Sequence, residues 1–103
     1  MRIQYNKLVR DRIPEIINEK GSTAIVHIAD KDEYWQKLQE KLGEEYEEFI
    51  KDPNVEELAD ILEVIHAICD YKKIKLQDLE AARIQKAEKR GAFTKRIILD
   101  ETN

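Results

Sequence analysis

Four carboxylates flank one proline near the middle of the chain: Glu45 and Glu48 before Asp52-Pro53, Glu57 and Asp60 after it. Members of each pair stand three residues apart, which puts both on one helical face. The cross-pairs 48 with 57 and 45 with 60 are both centred on the 52–53 peptide. If two helices meet there as an antiparallel hairpin, a rise of about 1.5 Å per residue sets 48 level with 57 about 7 Å from the turn. The same rise sets 45 level with 60 about 11 Å from it. Acids gathered at one depth of an interface repel one another and resist losing water, so they need cations; hard oxygen donors in this number suit Mg²⁺, or Mn²⁺.

Glu45 gives the pattern its point. Trp35, Leu38, Leu42, Glu45 and Phe49 follow one another at alternating steps of three and four, so Glu45 stands where the stripe calls for an apolar residue. Glu57 lies one turn from Ile61, and Asp60 one turn from Val64, so these acids also face the helix interface. The competing reading is a solvated acidic face, in which Glu57 completes a capping box with Asn54 and Glu48 pairs with Lys51 or Asp52. Joint register and the interrupted stripe favour the metal site. A carboxylate-bridged di-iron bundle would need two Glu-x-x-His copies. Glu63-Val64-Ile65-His66 is one, and His27 has Ala24 three residues before it, so there is no second.

The elements that must hold these acids are legible from punctuation, since only three Gly and two Pro interrupt the chain. A first helix is expected from about Asp11, with Pro14 in its opening turn, to a stop capped by Gly21. Residues 23–28, mostly β-branched, read as a short strand. Asp30-Lys31-Asp32-Glu33 opens a second helix that ends near Asp52-Pro53. Asp52 as cap and Pro53 as first residue open a third, whose face of Leu58, Ile61, Leu62, Ile65, Ile68 and Cys69 runs to about Tyr71. A fourth helix runs from about Leu76 to Arg90, with Lys75 standing where a capping residue belongs. Residues 95–99 read as a second strand, whose partner would be the first, pairing 24–28 with 96–99. The expected fold is therefore mainly α: an antiparallel bundle of about four helices with a small two-stranded β accessory, all in one domain, 1–103.

Composition narrows the function classes. Isoleucine, leucine, valine and phenylalanine make up 28 of 103 residues, enough for a core, and the 22 acidic and 18 basic residues are interleaved rather than blocked. The net charge of -4 argues against duplex nucleic acid as partner. No run is apolar enough for a bilayer, and the opening residues form no hydrophobic signal, so a cytoplasmic protein without membrane association is expected. The lone Cys69 reads as an inert buried thiol.

Glu44-Glu45-Tyr46-Glu47-Glu48 followed by Glu57-Leu58-Ala59-Asp60 resembles the EExxE…ExxD signature of the MazG-like, all-α nucleotide pyrophosphohydrolases, which include phosphoribosyl-ATP pyrophosphohydrolase. The stretches Tyr5-Asn6-Lys7-Leu8-Val9-Arg10-Asp11-Arg12-Ile13-Pro14 and Lys89-Arg90-Gly91-Ala92-Phe93 are similar to the opening and closing motifs of a small branch of that superfamily. Eight residues separate Glu48 from Glu57, a short gap for the signature. The resemblance implies Mg²⁺ held by Glu45, Glu48, Glu57 and Asp60. It also implies hydrolysis of a nucleoside triphosphate to monophosphate and pyrophosphate, as in house-cleaning of nucleotide pools. A phosphoribosyl-ATP-type activity and a non-enzymatic, metal-binding regulatory module are the alternatives.

Around that set, Glu44 and Glu63 compete as the acid that positions or activates water: Glu44 precedes Glu48 by four residues and Glu63 follows Asp60 by three. Phosphate-binding candidates are Lys7 and Arg10 near the N-terminus, with Arg12 beside them, and Arg83, Lys86 and Arg90 along one side of the fourth helix. Against these, Arg10 can pair with Asp11, and the helical cations can belong to a solvated face shared with Glu80 and Glu88. Trp35, like Tyr34, either stacks on a base or packs into the core. Long helices with apolar stripes that one short chain cannot cover point to a homodimer or a dimer of dimers.

Overall fold

A computed structural model describes residues 2–103 and contains four helices: α1 (Ile13–Glu19), α2 (Lys31–Lys51), α3 (Val55–Lys72) and α4 (Leu76–Arg90). Several boundaries have a local cause. Asp30 accepts a hydrogen bond from the Glu33 amide at 2.9 Å and opens α2, as the cap box predicts. After α1, Gly21 adopts a left-handed conformation with φ +92°; its amide reaches Asn18 O, and the Ser22 amide reaches Ile17 O. Those two bonds satisfy the last carbonyls of the helix and justify the glycine. The start of α4 lacks a side-chain cap at Lys75, again as expected.

The start of α3 departs from expectation. Asn54, not Asp52, is its cap, accepting from the Glu57 amide at 2.9 Å, so α3 begins at Val55 and Pro53 lies outside it. Asp52 instead accepts from the Asn54 side-chain amide at 3.1 Å. Three residues thus connect α2 to α3, and the two helices fold back on one another as the main packed unit of the chain. Their register is antiparallel: Trp35 of α2 meets Tyr71 of α3 at the far end, and Glu45 meets Asp60 nearer the turn. Leu38, Val64 and Cys69 are buried in the seam. Removing these apolar side chains from water is what holds the hairpin closed.

The expected β accessory is absent: among the described residues there is no strand, and neither 24–28 nor 96–99 is paired. Arg96 has φ +57°, a left-handed turn conformation that breaks an extended run at its first residue. Residues 24–28 are tied instead to the helix ends, through Ala24 N to Asn18 Oδ1 and His27 Nε2 to Glu33. A two-stranded ribbon with no layer to cover it is at best marginal, and Ile25, Ile28, Ile97, Ile98 and Leu99 are all exposed.

The chain is extended for its size. Its radius of gyration is 18.1 Å, against about 13 Å for a compact domain of this length. Its accessible surface is 9800 Å², against about 6,000 Å² for a compact monomer of this mass. No described helix is long and apolar enough to cross a membrane.

Candidate metal centre

The hairpin brings Glu45 of α2 together with Glu57 and Asp60 of α3, each offering a carboxylate oxygen within 4.8 Å of the others. The origin is visible in the helical pattern. Glu45 occupies an interface position of α2 and is 9% exposed, while Glu57 and Asp60, three residues apart, present one half-buried face of α3. Glu48 is not part of this group. Three residues past Glu45 the helix has turned through about 300°, which carries Glu48 to the edge of the seam, where it is exposed. Because α3 starts at Val55 instead of Pro53, the turn is also wider than a two-residue connection would make it. The sequence therefore brings together three of the four acids its spacing singled out.

Cations meet two of the three. Lys41 Nζ lies 3.1 Å from Glu45 Oε1, one turn before it on α2. Arg10 Nη2 lies 2.7 Å from Asp60 Oδ1, fifty residues away in sequence. The alternative pairing of Arg10 with Asp11 is not formed. Glu57 has no cation partner among the described residues. Partial loss of water, followed by the charges of Asp60, Glu48, Glu45 and Asp52, raises its pKa above the ordinary glutamate value. Three converging carboxylates with an excess of negative charge and oxygen donors alone are a donor set suited to a hard divalent ion.

Glu44 belongs to a neighbouring pair of contacts. It accepts from Lys7 Nζ at 2.8 Å and from Lys41 Nζ at 3.3 Å. Partial burial opposes its ionisation, but the hydrogen bond from Lys7 and the charge of Lys41 outweigh that, and its pKa is lowered. The same bond to Glu44 raises Lys7. Glu63, one turn past Asp60, is exposed and forms no ion pair among the described residues.

The remaining candidates lie elsewhere. Trp35 is half-buried and stacks on Tyr71 at 5.2 Å with the planes 8° apart, and Lys72 Nζ sits 4.3 Å from its ring centre. Tyr34 meets Tyr71 edge-on at 5.7 Å. This aromatic group is ten residues along α2 from Glu45, about 15 Å at helical rise. The shallow hollow beside it is lined by Asp30, Lys31, Tyr34, Tyr71 and Lys73. On α4, Arg83 pairs with Glu80, and Lys86 and Arg90 are exposed; α4 does not pack along the α2–α3 hairpin. Within one chain, then, Lys7 and Arg10 reach the acids, and the cations of α4 do not. Sequence spacing missed Lys41, although its place four residues before Glu45 is a standard helical ion-pair signal.

No protein family model matches this chain, and no solved structure matches it. A 42-residue segment, 41% of the chain, is 50% identical to an uncharacterised protein of Mycolicibacterium smegmatis, of which the match covers 43%. The match thus spans less than half of that relative.

Proposed function

We propose that this chain is a Mg²⁺-dependent nucleoside triphosphate pyrophosphohydrolase, with Mn²⁺ as a competent substitute, that releases nucleoside monophosphate and pyrophosphate. The observation that carries the reading is the convergence of Glu45, Glu57 and Asp60 across the hairpin seam, with Glu45 buried in place of an apolar residue. The likeness to the EExxE…ExxD signature supports it from the sequence. In this reading Glu45, Glu57 and Asp60 hold the ion, with Glu48 at the rim. When bound, the ion neutralises phosphate oxygens and lowers the pKa of water, which is the chief demand of phosphoryl transfer.

The side chains divide the remaining work. Lys7 and Arg10 stand beside the acids and offer donors to the phosphates. Glu44, its pKa lowered by the hydrogen bond from Lys7 and the charge of Lys41, is weakened as a base; it fixes Lys7 in position. Glu63, one turn past Asp60 and, unlike Glu44, without an ion-pair partner among the described residues, is then the better choice to orient water. Trp35 and Tyr71 offer a base-stacking platform at the other end of the hairpin. A second copy of the chain completes the unit. Tyr46 and Ile50 on α2 and Val55, Leu58 and Leu62 on α3 form a largely exposed apolar face, Leu58 and Leu62 being 52% and 53% exposed. The surface in excess of a compact monomer is about 3,700 Å² per chain, or about 7,500 Å² for a pair, more than enough to supply an obligate homodimer interface.

The test is a product assay across common and damaged nucleoside triphosphates. Monophosphate and pyrophosphate should form in one step, only with divalent metal, and with no diphosphate intermediate. Orthophosphate release with accumulating diphosphate would assign a different reaction. Metal binding without turnover on any of them, phosphoribosyl-ATP included, would leave the non-enzymatic regulatory module, a reading favoured by the distance of the α4 cations from the acids.

A further inference from the structure

The residues before α1 form an arm across the acidic end of the hairpin. Lys37 Nζ holds the Asn6 carbonyl at 2.7 Å, Lys7 holds Glu44, Leu8 and Val9 are half-buried, and Arg10 reaches Asp60. These contacts are of two kinds. Those at residues 6 and 7 go to α2 groups outside the acidic trio, whereas the contact at residue 10 goes to a member of it. Resting on the reading of Glu45, Glu57 and Asp60 as a divalent-cation site, we propose that Arg10 is an exchangeable counter-ion for that site: its guanidinium covers Asp60 until a divalent ion enters, and then turns to a phosphate-bearing anion.

The trio carries more negative charge than its cations cancel, as the unpartnered Glu57 shows, so Arg10 screens a repulsion that a divalent ion would screen better. An ion on Asp60 would share one carboxylate with a guanidinium 2.7 Å away, and two cations on one carboxylate repel, so entry of the ion weakens the Arg10 contact. The anchors at Asn6 and Lys7 do not depend on the trio, so the arm stays docked while Arg10 is released within reach of the site. A planar guanidinium grips phosphate oxygens in a fork, which an ammonium does not. The outcome is reciprocal coupling: the metal frees the anion's ligand, and the anion, by holding Arg10, strengthens the metal.

Binding of Mn²⁺ to the metal-free protein, followed by electron paramagnetic resonance with and without inorganic pyrophosphate, tests this without turnover. Arg10→Gln should bind Mn²⁺ alone about two- to fivefold tighter than the unsubstituted chain, as expected for loss of a partly exposed competing pair. Pyrophosphate should raise Mn²⁺ affinity in the unsubstituted chain and much less in Arg10→Gln. Arg10→Lys, which keeps the charge, should stay near the unsubstituted value for Mn²⁺ alone but lose most of the pyrophosphate effect. Lys20→Gln, the same charge change at an exposed residue past the end of α1, should alter neither. Unchanged or weaker Mn²⁺ binding in Arg10→Gln, or an equal gain in Lys20→Gln, would overturn the exchange while leaving the metal site intact. Absence of saturable Mn²⁺ binding in the unsubstituted chain would overturn the metal site itself and the exchange with it.

Discussion

Replacing Glu45 by glutamine separates a metal ligand from a structural acid, because the two roles predict different results with and without Mg²⁺. The amide has nearly the volume of the acid, and its oxygen can still accept from Lys41, which also keeps Glu44 at 3.3 Å. In metal-free protein the substitution loses one charged pair and relieves repulsion with Glu57 and Asp60. The Lys41–Glu45 pair is largely buried, but Lys41 keeps Glu44 and the amide oxygen and the two effects oppose one another, so apo stability should move by no more than about 1 kcal/mol. Bound metal changes the comparison. At a Mg²⁺ concentration a hundred times its dissociation constant, the native chain gains about 2.7 kcal/mol, a melting shift on the order of 10 °C for a domain of this size. If loss of the Glu45 carboxylate weakens Mg²⁺ about a hundredfold, the gain at the same concentration falls to about 0.4 kcal/mol, or roughly 2 °C. Thermal melts with and without Mg²⁺, with the exposed Glu47→Gln as a charge-matched control, supply the measurement. A Mg²⁺-induced shift that persists undiminished in Glu45→Gln, or is lost equally in Glu47→Gln, would refute the assignment.

Three further outcomes follow from the structure. The Lys7–Glu44 pair has a sign in pH: with its folded pKa lowered, Glu44 contributes stability above its unfolded pKa and loses it as pH falls through the folded value. Lys7, with its pKa raised, contributes below its unfolded pKa and loses it at strongly alkaline pH. The melting advantage of the native chain over Lys7→Gln should therefore be largest between those limits and fade below the carboxylate range; a pH-independent difference would contradict this. Lys73 ends α3 in the left-handed region at φ +59°, its amide bonded to Asp70 O and that of Ile74 to Cys69 O, so Lys73→Gly should stabilise by roughly 0.5–1 kcal/mol in urea denaturation. Light scattering at micromolar concentration should give at least a dimeric mass, and Leu58→Glu with Leu62→Glu should reduce it together with stability; a monomeric native chain would remove the second-copy reading.

Local chemistry made some of these features readable and left others hidden. The antiparallel register of the hairpin follows from apolar spacing, and the ends of α1 and α2 follow from Gly21 and Asp30, whose side chains or lack of one act within a few residues. Asp52 and Asn54 illustrate where such reasoning divides: either can cap a helix, and the choice shifts the start of α3 by two residues and leaves Glu48 at the edge. The β-branched stretch 24–28 has a strand's composition, but strand formation needs a partner, and the left-handed Arg96 removes the one expected. Lys7–Glu44 and Arg10–Asp60 join residues 37 and 50 positions apart. Ion pairs over such separations leave no periodic trace, so the sequence named the cations without their acids.

Cys69 is the only cysteine in the chain, and it lies buried in the α2–α3 seam at 4% exposure. A thiol reagent can reach its sulfur only when the two helices part, so its labelling rate is a clock for the opening of the hairpin, readable without any added probe. The seam that shields this sulfur also holds Glu45 against Glu57 and Asp60, so anything that pins those acids together should slow the clock. The molecule carries its own reporter for occupancy of its acidic centre, set about two and a half helical turns along α3 from Asp60.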